Sequence, residues 1–326
     1  MTMFTNHEET GAFPRLLFGR HQGYDLREQW ISKGLLALAH AAHPSARARL
    51  FAFPDASDRF GLGPGMVQSM RYWLRATGLM IEARSSTRRG QKVPTLTPLG
   101  ALLAQYDPYL ERTGSLWLLH AHLAQNLLLA PTFYWFFQCF VGKTAFTKEA
   151  CLEALRSWAI KDAPHQRIDP EQLRKDMECL FRLYAEAPQS PQMTPEPSVL
   201  TSPFRRLHML RCLPPGTDGR GSTGRQMPRY HYTPHAEEIP ALVVLALLLN
   251  QNPGMTRVPL TQVLYRQQQP GRSVGLTQTT LVDALHRLSR IDSAWTPRQM
   301  WMQQQPWLTL PTVPVEQVLL RYYTQP

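Results

Sequence analysis

The sequence predicts a mainly α protein in which two or three winged helix-turn-helix-like units with small β-wings pack around an aromatic-rich helical core. Three observations carry that expectation. A glycine-punctuated turn, an amphipathic helix and a basic loop follow one another between Phe60 and Lys92. A dense run of Leu, Trp, Tyr and Phe fills residues 116–140, and capped helix pairs recur through the rest of the chain. At 326 residues the chain has length for about two domains and a substantial core.

The central stretch begins at Gly61, Gly63 and Gly65, which allow backbone conformations closed to other residues, and Pro64 pre-sets a first helical turn. Met66, Met70, Trp73 and Leu74 recur at three- and four-residue spacing and face a core, which turns Gln68, Arg71 and Arg75 outward. Gly78 ends the helix, residues 79–83 have the apolar content of a strand, and Arg84, Arg88, Arg89 and Lys92 form a basic hairpin tip without an acid. Upstream, residues 1–17 read as a loosely packed arm and 24–42 as a first helix, with Leu26, Trp30, Gly34, Leu38 and Ala41 near one face. Residues 55–60 supply a short second helix. Thr97 and Pro98 start another, which closes an amino-terminal winged unit over residues 1–106.

A middle unit, 107–186, is predicted to hold two helices split at Pro131, a helix capped by Thr147 and one capped by Asp169, a second helix-turn-helix without an obvious basic wing. The aromatic run within it reads as packed core in preference to a base-stacking platform. Residues 187–236 read as a Pro/Gly-rich basic linker, whose Arg205, Arg206, Arg211, Arg225 and Arg229 are candidate nucleic-acid contacts or a solvated flexible loop. The last unit, 237–326, opens with a helix over 237–249. It continues with a short helix near 260–265, a turn at Pro270, a helix capped by Thr277, wing strands within 295–310 and a closing helix near 315–323.

A formal net charge of +11 favours polyanionic partners, nucleic acid before acidic membrane. Four cysteines without metal-binding spacing suit a reduced, cytoplasmic protein, and neither a signal peptide nor a bilayer-length apolar run is apparent. No phosphate-cradling loop, dinucleotide fingerprint, H-E-x-x-H or nucleophile elbow occurs, so no cofactor or metal is expected. His120 and His122, two apart on a helix, read as core histidines, and Pro234 argues against His231 and His235 forming a helical pair.

Further motifs carry a family resemblance. They are Phe18-x-x-His21-Gln22, Leu26-Arg27-x-x-Trp30-x-x-Lys33-Gly34, Leu62-Gly63-x-Gly65-Met66-Val67-x-Ser69-x-Arg71-Tyr72-Trp73, Leu96-Thr97-Pro98-Leu99-Gly100, Leu116-Trp117-Leu118-Leu119-His120, Tyr134-Trp135-Phe136-Phe137 and Arg174-Lys175-Asp176. Across nearly its whole length the chain resembles the bacterial and archaeal family catalogued as domain of unknown function 4007. It departs from the family pattern at Gln22, where Glu is expected after His21, and in its abundance of Pro and Gln after Ala187. The resemblance implies a place in defence or DNA-modification gene clusters, beside a sulfotransfer enzyme resembling phosphoadenosine phosphosulfate reductase. Residues and resemblance together predict a non-catalytic subunit that binds double-stranded DNA through Gln68, Arg71, Arg75, Arg84, Arg88, Arg89 and Lys92. The competing expectation is a protein-interaction scaffold or a transcriptional regulator of such a cluster. A sulfotransfer or nuclease enzyme is the third.

Overall fold

The computed structural model describes residues 15–84, 92–141, 145–185, 202–213, 227–302 and 304–325. It is mostly helical, with three small antiparallel sheets among the described residues. Where the arm expected over residues 1–17 enters the described residues, it is packed. Leu16 and Phe18 are buried, and Leu16 exchanges backbone hydrogen bonds of 3.0 and 2.7 Å with the Gln166 amide. Residues 1–14 lie outside the described residues.

The first unit runs through α1 (Glu28–His40), α2 (Pro44–Arg49), α3 (Asp55–Phe60), α4 (Pro64–Ala76), the hairpin of β1 (Met80–Arg84) with β2 (Lys92–Leu96), and α5 (Pro98–Tyr106). The α1 face expected from periodicity is the buried one, with Ala41 half-covered at its end. Gly34 lies where α4 crosses closest: an added Cβ would stand 2.5 Å from Leu74. Trp73 is fully buried. Burying an indole of roughly 200 Å² contributes about 5 kcal/mol against an extended chain, and it pins α4 to the turn at His21–Tyr24 and to Phe133.

The middle unit holds α6 (Thr113–Gln125), α7 (Pro131–Trp135) running on as a π-helical turn over Phe136–Phe140, β3 (Phe146–Thr147), α8 (Lys148–Asp162), α9 (Pro170–Tyr184), β4 (Leu210–Leu213) and β5 (Arg229–Tyr232). Thr147 and Asp169 cap α8 and α9 as expected, accepting from the N–H groups of Ala150 and Glu171. The aromatic run is core, with Trp117, Phe133, Phe136 and Phe137 fully buried. Residues 187–236 are not a linker throughout. A 3-10 turn over Pro203–Leu207 buries Phe204 and Leu207 against α6 and α9, and β4 and β5 join β3 in the sheet order β3-β5-β4. Hydrophobic spacing in this segment is too short to show, from sequence, that its partners are remote strands.

The last unit holds α10 (Ala241–Gln251), β6 (Arg257–Pro259), α11 (Leu260–Tyr265), α12 (Pro270–Val274), α13 (Gln278–Ile291), β7 (Arg298–Met302), β8 (Gln305–Thr309) and α14 (Val315–Thr324). Its sheet order, β6-β8-β7, repeats that of the middle unit. Two details differ from the sequence reading. Pro240 lacks an N–H and holds Ile239 extended, so the acids at 237 and 238 sit in a separate 3-10 turn and α10 starts at Ala241. The expected turn at Pro270 is the short helix α12, packed so closely that a Cβ on Gly271 would meet the Leu264 carbonyl at 2.0 Å.

One continuous apolar core joins the three units, and buried polar groups stitch it. Fully buried His120 on α6 donates from Nε2 to the Ser273 carbonyl of α12 at 2.8 Å and accepts at Nδ1 from the Tyr184 hydroxyl of α9, also 2.8 Å. A carbonyl only accepts, so the neutral tautomer is set by geometry. Burial depresses the His120 pKa to about 3 and that of His122 to about 4. The carboxy-terminal helix closes back on the first two units: Arg112 donates to the Tyr322 carbonyl, Gly114 N–H to the Tyr322 hydroxyl, and Tyr106 stacks on Tyr323.

Candidate nucleic-acid interface

Helix α4 is positioned by the chemistry of its two ends. Gly61 caps α3 in the left-handed region at φ 62°, Gly63 is extended, and Pro64 takes the first position of α4. At the far end Gly78, with φ 73°, lets the Leu79 N–H reach the Leu74 carbonyl at 2.9 Å, closing a Schellman cap. The Thr97 hydroxyl donates to the Gly78 carbonyl at 2.6 Å and accepts from the Gly100 N–H at 3.0 Å. One side chain therefore ties the end of α4 to the start of α5, and the hairpin between them leaves at a set angle.

Val67, Ser69, Met70, Tyr72, Trp73, Leu74 and Ala76 are buried, and Met66 is half-buried. The Trp73 indole N–H and the Ser69 hydroxyl both donate to the Tyr24 carbonyl. What α4 leaves to solvent is a single stripe at i, i+3, i+7: exposed Gln68, then half-buried Arg71 and Arg75.

The stripe runs onto the hairpin. Residues directly opposite in an antiparallel ladder share a face, so the Glu82↔Pro94 and Arg84↔Lys92 pairs place Glu82, Arg84 and Lys92 on one side. Glu82 accepts from Arg71 at 2.5 Å and lies 3.8 Å from Arg75. Arg84 and Lys92 are exposed. The structure thus brings Gln68, Arg71, Arg75, Arg84 and Lys92 onto one continuous surface, four cations against one acid. Arg71 and Arg75 on that stripe share the nearly buried Glu82 carboxylate. Sequence spacing cannot show that, because Glu82 reads as an ordinary strand residue until the hairpin folds onto α4. Arg88 and Arg89 lie outside the described residues.

The second set of candidate arginines divides. Arg205 donates to the Arg182 carbonyl at 3.1 Å, while Arg206 pairs with Glu28 at 3.1 Å and donates to the carbonyls of Leu110 and Glu111 at 2.9 Å. Arg205 is tied within the middle unit, and Arg206 tethers that unit to α1 of the first. Arg211 and Arg229 are exposed on β4 and β5, on the same face as His231. Arg225 lies outside the described residues. On α9, Arg174 pairs with Glu171 and Glu178, and Arg182 pairs with Asp25, so that helix face is neutralised by its own neighbours.

A buried His–Asp contact invites a catalytic reading and does not support one. His21 donates from Nε2 to Asp176 at 2.9 Å, while its Nδ1 accepts from the Gly23 N–H at 3.1 Å. Asp176 also accepts from the Gly19 N–H and the Thr132 hydroxyl. Both ring nitrogens are spoken for and His21 is 1% exposed, so this pair offers no lone pair to a substrate. It joins two of the sequence motifs into a lock between the amino-terminal turn, α7 and α9, whereas Gln22 turns out to solvent. Among the described residues no group of three or more His, Cys, Asp or Glu is arranged to hold a metal ion. No helix of the described residues is long and apolar enough to cross a membrane.

Residues 18–323 match the family model described as "Protein of unknown function (DUF4007)". The chain belongs to that family. Two solved structures share its fold, one titled "Magnesium ion-bound SspB crystal structure" and the other "SspB crystal structure", with TM-scores of 0.75 and 0.74. Each is 22% identical to this DUF4007 chain, over 95% of its length and 89% of the SspB chain. At that identity the likeness concerns the fold alone. No curated protein matches the chain.

Proposed function

We propose that this DUF4007 protein is a non-catalytic double-stranded DNA-binding subunit of a bacterial DNA-modification or anti-phage defence system, with DNA phosphorothioation the favoured chemistry. It presents duplex to a modifying enzyme, whose expected form is the sulfotransfer partner resembling phosphoadenosine phosphosulfate reductase. The observation that carries the reading is the single surface on which Gln68, Arg71, Arg75, Arg84 and Lys92 converge with Glu82 as their one acid. Three units of winged helix-turn-helix type fit the element order. The β3-β5-β4 and β6-β8-β7 sheets have the same strand order, each with two helices between its first strand and its hairpin, α12 being an added short turn in the last. On this reading α4 lies in or along the major groove, with Gln68 facing base edges and its arginines the phosphates. Arg84 and Lys92 follow the backbone.

The test is binding of the purified chain to random-sequence duplex across a salt series, with backbone-sulfurated duplex in parallel and supercoiled plasmid plus magnesium as a turnover control. Affinity falling linearly in log salt, with a shallower slope for Arg84→Glu with Lys92→Glu, supports DNA gripping. Absence of binding at low salt, or variants that bind DNA normally yet lose partner assembly, favours the scaffold. Plasmid nicking by the chain alone refutes the non-catalytic role.

A further inference from the structure

The sheet of the last unit turns its two faces to different surroundings. Val258 and Leu308 oppose one another on the ladder and are buried, so the body of the unit covers their face. Alternate residues point the other way. On that outer face Arg257 and Arg298 both oppose Thr309, Met300 opposes Trp307, and Met302 follows one step along. The two arginines are exposed, while Trp307, Met300 and Met302 are half-buried. An indole with thioethers beside it and guanidiniums at the margin has the composition of a protein–protein interface, where aromatic residues, Met and Arg are enriched and acids depleted. Two donors here lack a strong acceptor. The Trp307 indole N–H is buried and finds none among the described residues, and Arg257 Nη1 reaches only the Met302 sulfur, at 3.9 Å.

The chemistry of the face specifies its occupant. No acid occurs from Trp295 to Val315, and neither Arg257 nor Arg298 forms an ion pair with a described acid. On α9, by contrast, the cations are cancelled by neighbouring acids. A second copy of the chain seated on the same face would set arginine against arginine. A nucleobase would need an open ring to stack on, and Trp307 is half-covered. Thioethers are flexible and polarizable, so they re-pack around an incoming apolar side chain of varied shape.

We propose that the outer face of the β6-β8-β7 sheet docks a protein partner through an acidic segment. An aliphatic or aromatic side chain of that segment packs on Trp307, Met300 and Met302, while its carboxylates accept from Arg257 and Arg298. This goes beyond the DNA-binding reading and does not depend on the α4 surface.

The test is selection of a displayed random twelve-residue peptide library on the full chain, followed by fluorescence anisotropy with the enriched peptides, synthesised and labelled. Enriched sequences are expected to combine two or more acids with an aromatic or aliphatic residue. Arg257→Gln with Arg298→Gln should weaken their binding by about 2- to 30-fold, most at low salt. Trp307→Ala should weaken it by at least about 30-fold. If that variant fails to fold, the exposed arginine pair decides the question. Duplex binding through the α4 surface should survive the double arginine variant, and peptide binding should survive Arg84→Glu with Lys92→Glu, so the two readings fail separately. Enrichment of no acidic peptide, or enriched peptides that bind the double arginine variant as tightly as the parent, overturns the proposal. So does self-association, or binding of oligo-dT, that the double arginine variant loses.

Discussion

Glu82 offers the sharpest test of the α4 surface. Its carboxylate stands 2.5 Å from one guanidinium and 3.8 Å from another, with its side chain only 10% exposed. A DNA phosphate accepting from the same arginines would lie about two hydrogen-bond lengths from it, roughly 6 Å. Two like charges at that distance repel by about 0.7 kcal/mol at the dielectric of water and by about 2.8 kcal/mol at an effective value near 20. Glu82→Gln keeps the shape and a hydrogen bond to Arg71 but removes the repulsion. Duplex affinity should therefore rise by about 3- to 100-fold, most at low salt, with a steeper log–log salt dependence. Fluorescence anisotropy with a labelled duplex at several salt concentrations reads both quantities. Affinity unchanged within twofold, or weakened, would refute the reasoning: the carboxylate would then position the arginines and not compete with phosphate.

Three predictions concern the scaffold. Gly78→Ala forces an L residue to φ 73° and places its Cβ 2.0 Å from the His122 ring, so chemical denaturation should show a loss of at least about 3 kcal/mol; a loss below about 1 kcal/mol contradicts the packing. Asp176→Asn keeps one oxygen but turns an amide N–H₂ toward the donors on one side, either Thr132 or Gly19 and His21, with an expected cost of about 3 kcal/mol in chemical denaturation. His120 and His122 have folded pKa values depressed to about 3 and about 4, against an unfolded value near 6.5. The unfolded chain thus binds more protons below pH 6.5, and the stability they contribute is whole above that pH and lost as pH falls toward 4. The steepest slope these two give is about 2.7 kcal/mol per pH unit. Denaturation midpoints at pH 7, 6 and 5 that do not move would contradict this, and His120→Gln should lower the slope by one proton.

Much of the fold can be read from local chemistry. The caps at Thr97, Thr147, Asp169 and Thr277, the stop at Gly78 and the basic hairpin strands are all consequences of residues acting on neighbours a few positions away, and they appear where the sequence places them. What sequence missed depends on distant partners. Glu82 meets Arg71 only after a hairpin folds back, His21 meets Asp176 across 155 positions, and Arg206 finds carbonyls 95 and 96 residues away. The stretch around β4 and β5 looked like linker because four-residue strands between prolines and glycines carry too little periodicity to distinguish from loop. The burial of the aromatic run, by contrast, was legible, since apolar neighbours on every side leave no face for a ligand.

The docking of α14 on α6 and α5 makes the molecule mechanically closed. Tyr322 and Tyr323 of this helix hold residues 106–115, with Arg112 donating to the Tyr322 carbonyl, and so complete the seat of the first unit. The amino-terminal surface cannot be borrowed as a cassette. Cutting the chain before Val315 would remove the brace on which α5, the base of the hairpin and hence the orientation of Arg84 and Lys92 depend.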